Sequence, residues 1–277
     1  MNLKKKKELL INYVKLNDIV SLNRSLSLIA IQQLMKKINK QENNIMTHMS
    51  LLNQVYDKDT NQIVEPKTLY IYYEANEKFT SDFYNTIKDY LSTHFEKKKD
   101  ALITIGSRAK DFAEHQLQQT PVLSFPDKAD FKEIATQSGL LANLLLTRQT
   151  INRVVFLVRS NKINDLQAVM FPVDEFSFTF SLSEDKISKW TNFNNQGFKF
   201  YDNVTNFKDN ALVSYFQTTC YLLLLESSFI VFKNKLINEN KILKDLEIRI
   251  KKAKMSLNRA VREAEIQEIN LIHDNKK

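Results

Sequence analysis

Only 3 glycines and 4 prolines occur in 277 residues. Both residues punctuate turns, so their scarcity excludes a loop-rich enzyme with glycine-built phosphate cradles and favours long regular elements. Neither the dinucleotide fingerprint nor the Walker sequence is present, which removes two common nucleotide cradles. The single cysteine, Cys220, has no intrachain partner for a disulfide and lies in an apolar stretch, where it reads as a small buried hydrophobe. His48, His94, His115 and His273 are scattered without ligand spacing, so no metal site is expected. Apolar runs are short: Tyr221 to Leu225 is the densest and Glu226 ends it, well below the roughly 18–20 residues of a membrane span. The opening MNLKKKKELLINYVK has the basic run of a signal peptide, but Asn12, Lys15 and Asn17 interrupt its apolar stretch. The expectation is a cytoplasmic protein, with any peripheral association at the inner face of the cell membrane made through partners.

What is present is ample material for a core, with 43% hydrophobic and 10% aromatic residues, and a net charge of +8 that suits an anionic partner. Residues 1–64 contain neither glycine nor proline. Within them Leu28, Ile31, Met35, Ile38, Ile45, Met49 and Leu52 alternate steps of three and four, with Glu42 in the remaining seam position. After Gly197, the last glycine, a second unbroken stretch keeps heptad spacing from Leu222 through Phe229, Leu236, Leu243, Leu246, Ile250, Ala253, Leu257 and Ala260 to Ala264 and Leu271, with Glu239 and Gln267 as polar insertions. Two heptad helices at opposite chain ends predict an antiparallel coiled coil. The stretch from Asn210 to Ile272 would run about 90 Å at 1.5 Å per residue. Narrowing of its seam from Phe and Leu to Ala predicts either closer helix approach or a thin single-helix tip, and the N-terminal helix reads as too short to accompany it fully.

The middle has a different texture. Leu69 to Tyr73, Ala101 to Ile105, Val154 to Val158 and Ala168 to Val173 read as strands, and Ser81 to Phe95, Ser107 to Gln116 and Asp130 to Thr150 as intervening helices. Strands alternating with helices predict a Rossmann-like α/β domain with a mostly parallel sheet. The alternation of Phe176 to Ser181 suggests a further edge strand, and Ser183 to Lys208 reads as a connection. The expected fold class is therefore α/β, organised as an N-terminal coiled-coil helix at 1–64, the α/β domain at 65–207 and a C-terminal coiled-coil helix at 208–277.

Chemistry is thinly represented. Gly106 follows the second strand and precedes a helix, where α/β enzymes hold phosphate, but one glycine is a weak signal and is read as a tight strand-to-helix turn. Asp174, Glu175, Glu184 and Asp185 read as solvated loop charges rather than an acid and base pair. No catalytic residue is assigned. The basic stretch Lys241, Lys244, Arg249, Lys251, Lys252, Lys254, Arg259 and Arg262 faces only Asp245 and Glu247. It is either a solvated face or a docking surface for an acidic partner. A coiled-coil adaptor or a nucleic-acid binder is the alternative reading, although in leucine-zipper proteins the basic region precedes the zipper, whereas here the apolar seam runs through it.

Leu257 to Ile272, LNRAVREAEIQEINLI, resembles the terminal helix of gamma subunits of F-type rotary ATPases, whose pattern is close to YN-K/R-ARQ-x-x-I-T-Q-E-I/L. Asn258, Arg259, Ala260, Gln267 and Glu268 match in register, and Ile269 keeps its apolar place. IQQLMKKI at Ile31 to Ile38, ALITIGSRAKDFAEH around Gly106 and VRSNKIND at Val158 to Asp165 resemble further segments of that family in the same order.

The resemblance implies a non-catalytic central shaft. Both terminal helices would penetrate a hexameric ring of alpha-like and beta-like subunits, which would carry ATP, ADP and Mg, while this chain binds no cofactor. Lys251, Lys252, Lys254, Arg259, Arg262, Gln267 and Glu268 would be partner contacts, with epsilon-like subunits, membrane rotor subunits or a motility protein as further partners and no nucleic acid. Two departures stand out. YEANEKFTSDFYN, Tyr73 to Asn85, replaces the family's glycine-rich D-R-G-L-C-G-x-x-N, and the family's A-R-Q reads Ala260, Val261, Arg262. They imply a divergent paralogue in a lysine- and asparagine-rich, AT-rich genome such as that of a wall-less bacterium, serving either housekeeping ATP synthesis or a specialised machine such as a gliding motor.

Overall fold

The computed structural model describes residues 3–55, 65–76, 81–158, 160, 162–163, 165–181 and 203–274. Most of the Ser183 to Lys208 connection and residues 77–80 of the altered Tyr73 to Asn85 segment lie outside them. The elements run α1 (Leu3–Val55), β1 (Thr68–Tyr73), α2 (Ser81–His94), β2 (Ala101–Ile105), α3 (Ser107–Asp111), a π-helical turn (Phe112–Gln116), β3 (Leu123–Phe125), α4 (Phe131–Thr147), β4 (Arg153–Leu157), β5 (Gln167–Phe171), a 3-10 turn (Val173–Glu175) and α5 (Val204–Asp274). The chain divides into two compact units, one formed by Gln32–Val231 and the other by Met1–Ile31 with Phe232–Lys277.

In the Gln32–Val231 unit the five strands lie in the order β3-β2-β1-β4-β5. The first four are parallel and β5 is antiparallel to β4. Strands β1 and β4 are apolar at nearly every position because both faces of the sheet are covered. Leu69, Ile71, Val154 and Phe156 pack on one side with Ile134, Ala135 and Ala142 of α4. The same cluster takes in Ile38, Ile45 and Leu52 of α1 and Leu212, Tyr215, Phe216 and Leu222 to Leu225 of α5. Tyr70, Tyr72, Val155 and Leu157 point to the other side, against Tyr84, Ile87 and Leu91 of α2 and Ala109 and Phe112. The two long helices thus supply part of one covering layer. Cys220 is buried in it, and burial pushes its thiol pKa up to about 12. Gly139 lets α4 approach α5, since a Cβ there would lie 2.8 Å from Gln217 Cγ and 3.1 Å from its backbone nitrogen.

Two readings of the sequence change. Phe176 to Ser181 is not a strand. Its hydrogen bonds go elsewhere: Thr179 N donates to Lys162 O (2.8 Å) and Ser181 N to the Glu42 carboxylate (2.9 Å), while Phe176, Phe178 and Phe180 pack on one another. Alternation here marks an aromatic strap rather than a ladder. Strand β3 was not legible beforehand, being three residues between Pro121 and Pro126.

Candidate partner-binding surface

In the unit of Met1–Ile31 with Phe232–Lys277, the two helix segments run antiparallel. Lys6 Nζ donates to Ser256 O (3.4 Å) and Arg24 Nε to Asn240 Oδ1 (2.8 Å), so advancing along α1 means retreating along α5. On α5 the inward residues are Leu236, Glu239, Leu243, Leu246, Ile250, Ala253, Leu257 and Ala260, the seam read from sequence. It stops there: Val261 to Asn270, including Ala264 and Gln267, are all exposed. With Lys6 opposite Ser256, no described residue of α1 covers this tip.

On α1 the inward positions are Lys6, Leu10, Tyr13, Asn17, Val20, Arg24 and Ser27, a row that continues in the other unit through Leu34 and Ile38. Met35, assigned to the seam from sequence, is exposed, and Leu34 takes its place. The step pattern tolerates either residue, and only the heptad phase upstream distinguishes them.

The outward rows are unusual for a helix pair in water. Seven-residue steps opposite the seam pass through Lys15, Leu22 and Ile29 on α1 and through Lys241, Ile248, Met255, Arg262 and Ile269 on α5. Leu22 is 63% exposed, Ile29 51% and Ile248 54%. Leu9, Ile11, Leu16, Ile19 and Leu26 are exposed on intermediate faces. Rows of exposed aliphatic side chains of this kind mark a surface that another molecule covers. This unit also contains 18 Lys and Arg against 9 Asp and Glu, a formal +9, so the remainder of the chain carries −1 of the total +8.

The seven residues inferred from the family resemblance, Lys251, Lys252, Lys254, Arg259, Arg262, Gln267 and Glu268, are all exposed. Lys251, Lys252, Lys254 and Arg259 lie alongside the paired seam, and Arg262, Gln267 and Glu268 on the exposed stretch beyond it. Apolar exposure, which seam reading passed over, accompanies them: Met255 lies among the lysines and Ile266 beside Gln267.

The other unit holds the remaining polar constellations. Gly106, with φ +101, bridges β2 and α3; its N–H donates to Phe125 O (2.9 Å), and an added Cβ would meet Glu74 O at 2.3 Å. Asp127 accepts from Ser107 N (3.0 Å) and Ser107 Oγ (2.8 Å). A carboxylate already occupies the place a phosphate would need, so the tight-turn reading describes this geometry. Gly106→Ala is expected to destabilise the unit by about 2–4 kcal/mol in urea denaturation, since both left-handed strain and a backbone clash arise. Nearby, the Tyr72 hydroxyl donates to the buried Glu74 carboxylate (2.5 Å), which Lys88 also reaches (2.9 Å). Burial first, and then the Glu74 charge, raise the Tyr72 pKa well above its ordinary value. A second set joins the buried Glu42 of α1 and Glu226 of α5 to the half-buried Lys162 of the β4–β5 loop, whose side chain is 24% exposed. Among the described residues no group of three or more His, Cys, Asp or Glu side chains is placed to hold a metal ion, and no helix is long and apolar enough to cross a membrane.

No family model matches the chain. It is 29% identical over 211 residues to an uncharacterized protein of Ureaplasma parvum serovar 3, covering 76% of this chain and 68% of that one. Among solved structures it is similar to a chain of the central stalk and c-ring of the Tetrahymena thermophila mitochondrial ATP synthase, with TM-score 0.52 and 11% identity over 81% of this chain and 99% of that one. It is also similar to a chain of the OSCP/F1/c-ring structure of the Euglena gracilis mitochondrial ATP synthase, with TM-score 0.50 and 13% identity over 99% and 96% of the two chains. At such identity the likeness is one of fold. The chain has an α/β fold with a mostly parallel five-stranded sheet and long terminal helices, of the gamma-subunit-like kind found in rotary ATPase stalks.

Proposed function

We propose that this chain is the rotating central shaft of a rotary-ATPase-like complex, enclosed along its helix pair by a hexameric ring of alpha-like and beta-like subunits. The observation that carries this reading is the apolar exposure on the outward rows, Leu22, Ile29, Ile248 and Met255, together with the concentration of positive charge in the same unit. A sleeve that is both apolar and acidic satisfies both. In this reading ATP, ADP and Mg belong to the ring, and this chain performs no catalysis. The complex is cytoplasmic, at most peripheral to the membrane, and epsilon-like, membrane rotor or motility subunits dock on the Gln32–Val231 unit. The altered Tyr73 to Asn85 segment and Val261 favour a specialised machine, such as a gliding motor, over an ordinary ATP synthase. Native purification through a tag on this chain tests it: two nucleotide-binding subunits at roughly three copies each should accompany one shaft. A lone chain at native concentration would sink the proposal.

The charge component has its own test. Changing Lys251, Lys252 and Lys254 to Glu should reduce rotation-coupled ATP hydrolysis and weaken assembly about tenfold at low salt, with the difference shrinking as ionic strength rises. Unchanged coupling at low salt would remove charge from the mechanism.

A further inference from the structure

In the Gln32–Val231 unit, two carboxylates from different long helices converge on one ammonium. Glu42 of α1 is fully buried and its Oε1 lies 2.8 Å from Lys162 Nζ. The side chain of Glu226, on α5, is 4% exposed, and its Oε2 lies 3.8 Å from the same ammonium. Around them Ser160 Oγ donates to Glu226 Oε1 (2.7 Å), Ser181 N donates to Glu42 Oε2 (2.9 Å), and Lys162 N donates to Ser160 Oγ (3.1 Å). Lys162 Nζ also sits 5.4 Å from the centre of the Phe178 ring. The β4–β5 loop and the aromatic strap are thus tied to both helices at one point, within an apolar setting of Ile38, Ile45 and Leu222 to Leu225.

That setting makes the choice of charged residues informative. An apolar seam with heptad spacing is degenerate: sliding one helix by a turn still buries leucine and isoleucine. Three charges have one arrangement in which a single ammonium faces both carboxylates; Glu226 Oε2, at 3.8 Å, meets it as an ion pair without a hydrogen bond, and any slip strands a buried carboxylate. Buried ionic sets contribute little net stability relative to apolar ones of equal volume, and their attested use is to select register.

We propose that Lys162 is a positioning residue, the pin that holds the α/β layer in one register against both long helices so that torque passes between them without slip. The torque clause rests on the shaft reading above; the register clause stands on this geometry alone.

Spin labels at Lys40 of α1 and Lys132 of α4, both exposed, provide the readout in the full-length chain. Cys220, buried and with a raised thiol pKa, does not compete for label. The wild type and Lys162→Arg should give one narrow distance distribution. The near-isosteric triple variant Glu42→Gln, Lys162→Met, Glu226→Gln should broaden it at least twofold, with a second population displaced by about 5 Å, one helical turn. Glu42→Gln alone, which leaves Lys162 its Glu226 partner, should broaden it as well and serves if the triple variant does not fold. A narrow, unshifted distribution in whichever of these variants folds would overturn the pin. If a ring co-purifies, the same substitutions should leave ATP hydrolysis intact while rotation of a bead attached at Lys132 slips. The label result does not depend on the ring, so failure of the pin and failure of the shaft reading are separable.

Discussion

Replacing Lys162 by methionine alone should destabilise the Gln32–Val231 unit by about 3–5 kcal/mol, because it leaves Glu42 and Glu226 buried without a cation. Among the described residues, Glu42 would retain the Ser181 N–H and Glu226 the Ser160 hydroxyl. Two hydrogen bonds do not replace a shared ammonium for two carboxylates. For a unit whose total stability is on the order of 5–15 kcal/mol, this is a large fraction. Urea denaturation followed by far-ultraviolet circular dichroism measures it, with the midpoint falling at constant slope. Adding Glu42→Gln and Glu226→Gln to the same methionine should recover most of the loss, since the amides need no counter-charge. Lys88→Met is the internal comparison: Glu74 keeps the Tyr72 hydroxyl, and among the described residues no second carboxylate shares that ammonium, so its cost should be smaller. A Lys162→Met effect below about 1 kcal/mol would mean that solvent, which already reaches the 24% exposed Lys162, also reaches both carboxylates.

Glu42 also shows how far the amino-acid sequence reaches. Heptad spacing placed it in the seam as a lone polar insertion, which is where it lies, but spacing cannot name a partner 120 positions downstream in a loop. The α/β layer was legible because four strands are continuous apolar runs of ordinary length and their helices are amphipathic. Strand β3 was not, because three residues between prolines carry no periodicity. Phe176 to Ser181 misled for the opposite reason: its period of two is real, but the phenylalanines serve aromatic packing while the backbone donates to Lys162 and Glu42. On α1 both Leu34 and Met35 satisfy a three-or-four step, and the phase was settled by Tyr13, Asn17, Arg24 and Ser27, half-buried or buried residues of which none is aliphatic. The outward stripe escaped notice on the same account. The seam read from sequence begins at Leu28, and upstream of it Ile19, Leu22, Leu26 and Ile29 are exposed while Asn17, Arg24 and Ser27 point inward.

Exchanging Leu22, Ile29 and Ile248 for glutamate should abolish partner assembly while leaving the isolated chain as stable as the wild type, within about 0.5 kcal/mol. All three side chains are more than half exposed, so no cavity arises on substitution, and glutamate is at least as good a helix former as isoleucine. In an enclosing sleeve each of these residues, partly covered already, would contribute about 0.8–1.5 kcal/mol of further burial. Losing three of them, and adding three desolvated carboxylates, corresponds to a fall in affinity of roughly a thousandfold or more. Glutamine at the same positions separates the two components: it removes the apolar contact without reversing the local charge, and should still cost most of the affinity. Equivalent changes at Leu140 and Leu144, exposed on α4, alter solubility comparably but lie outside the helix pair, so the ring should still assemble around such a variant. Size-exclusion chromatography with subunit quantification distinguishes these outcomes. Normal assembly of the Leu22, Ile29, Ile248 variant would show that the outward rows face solvent in the working complex. A shaft reading would then have to rest on the basic residues alone, for which a solvated lysine-rich helix is an equally good account.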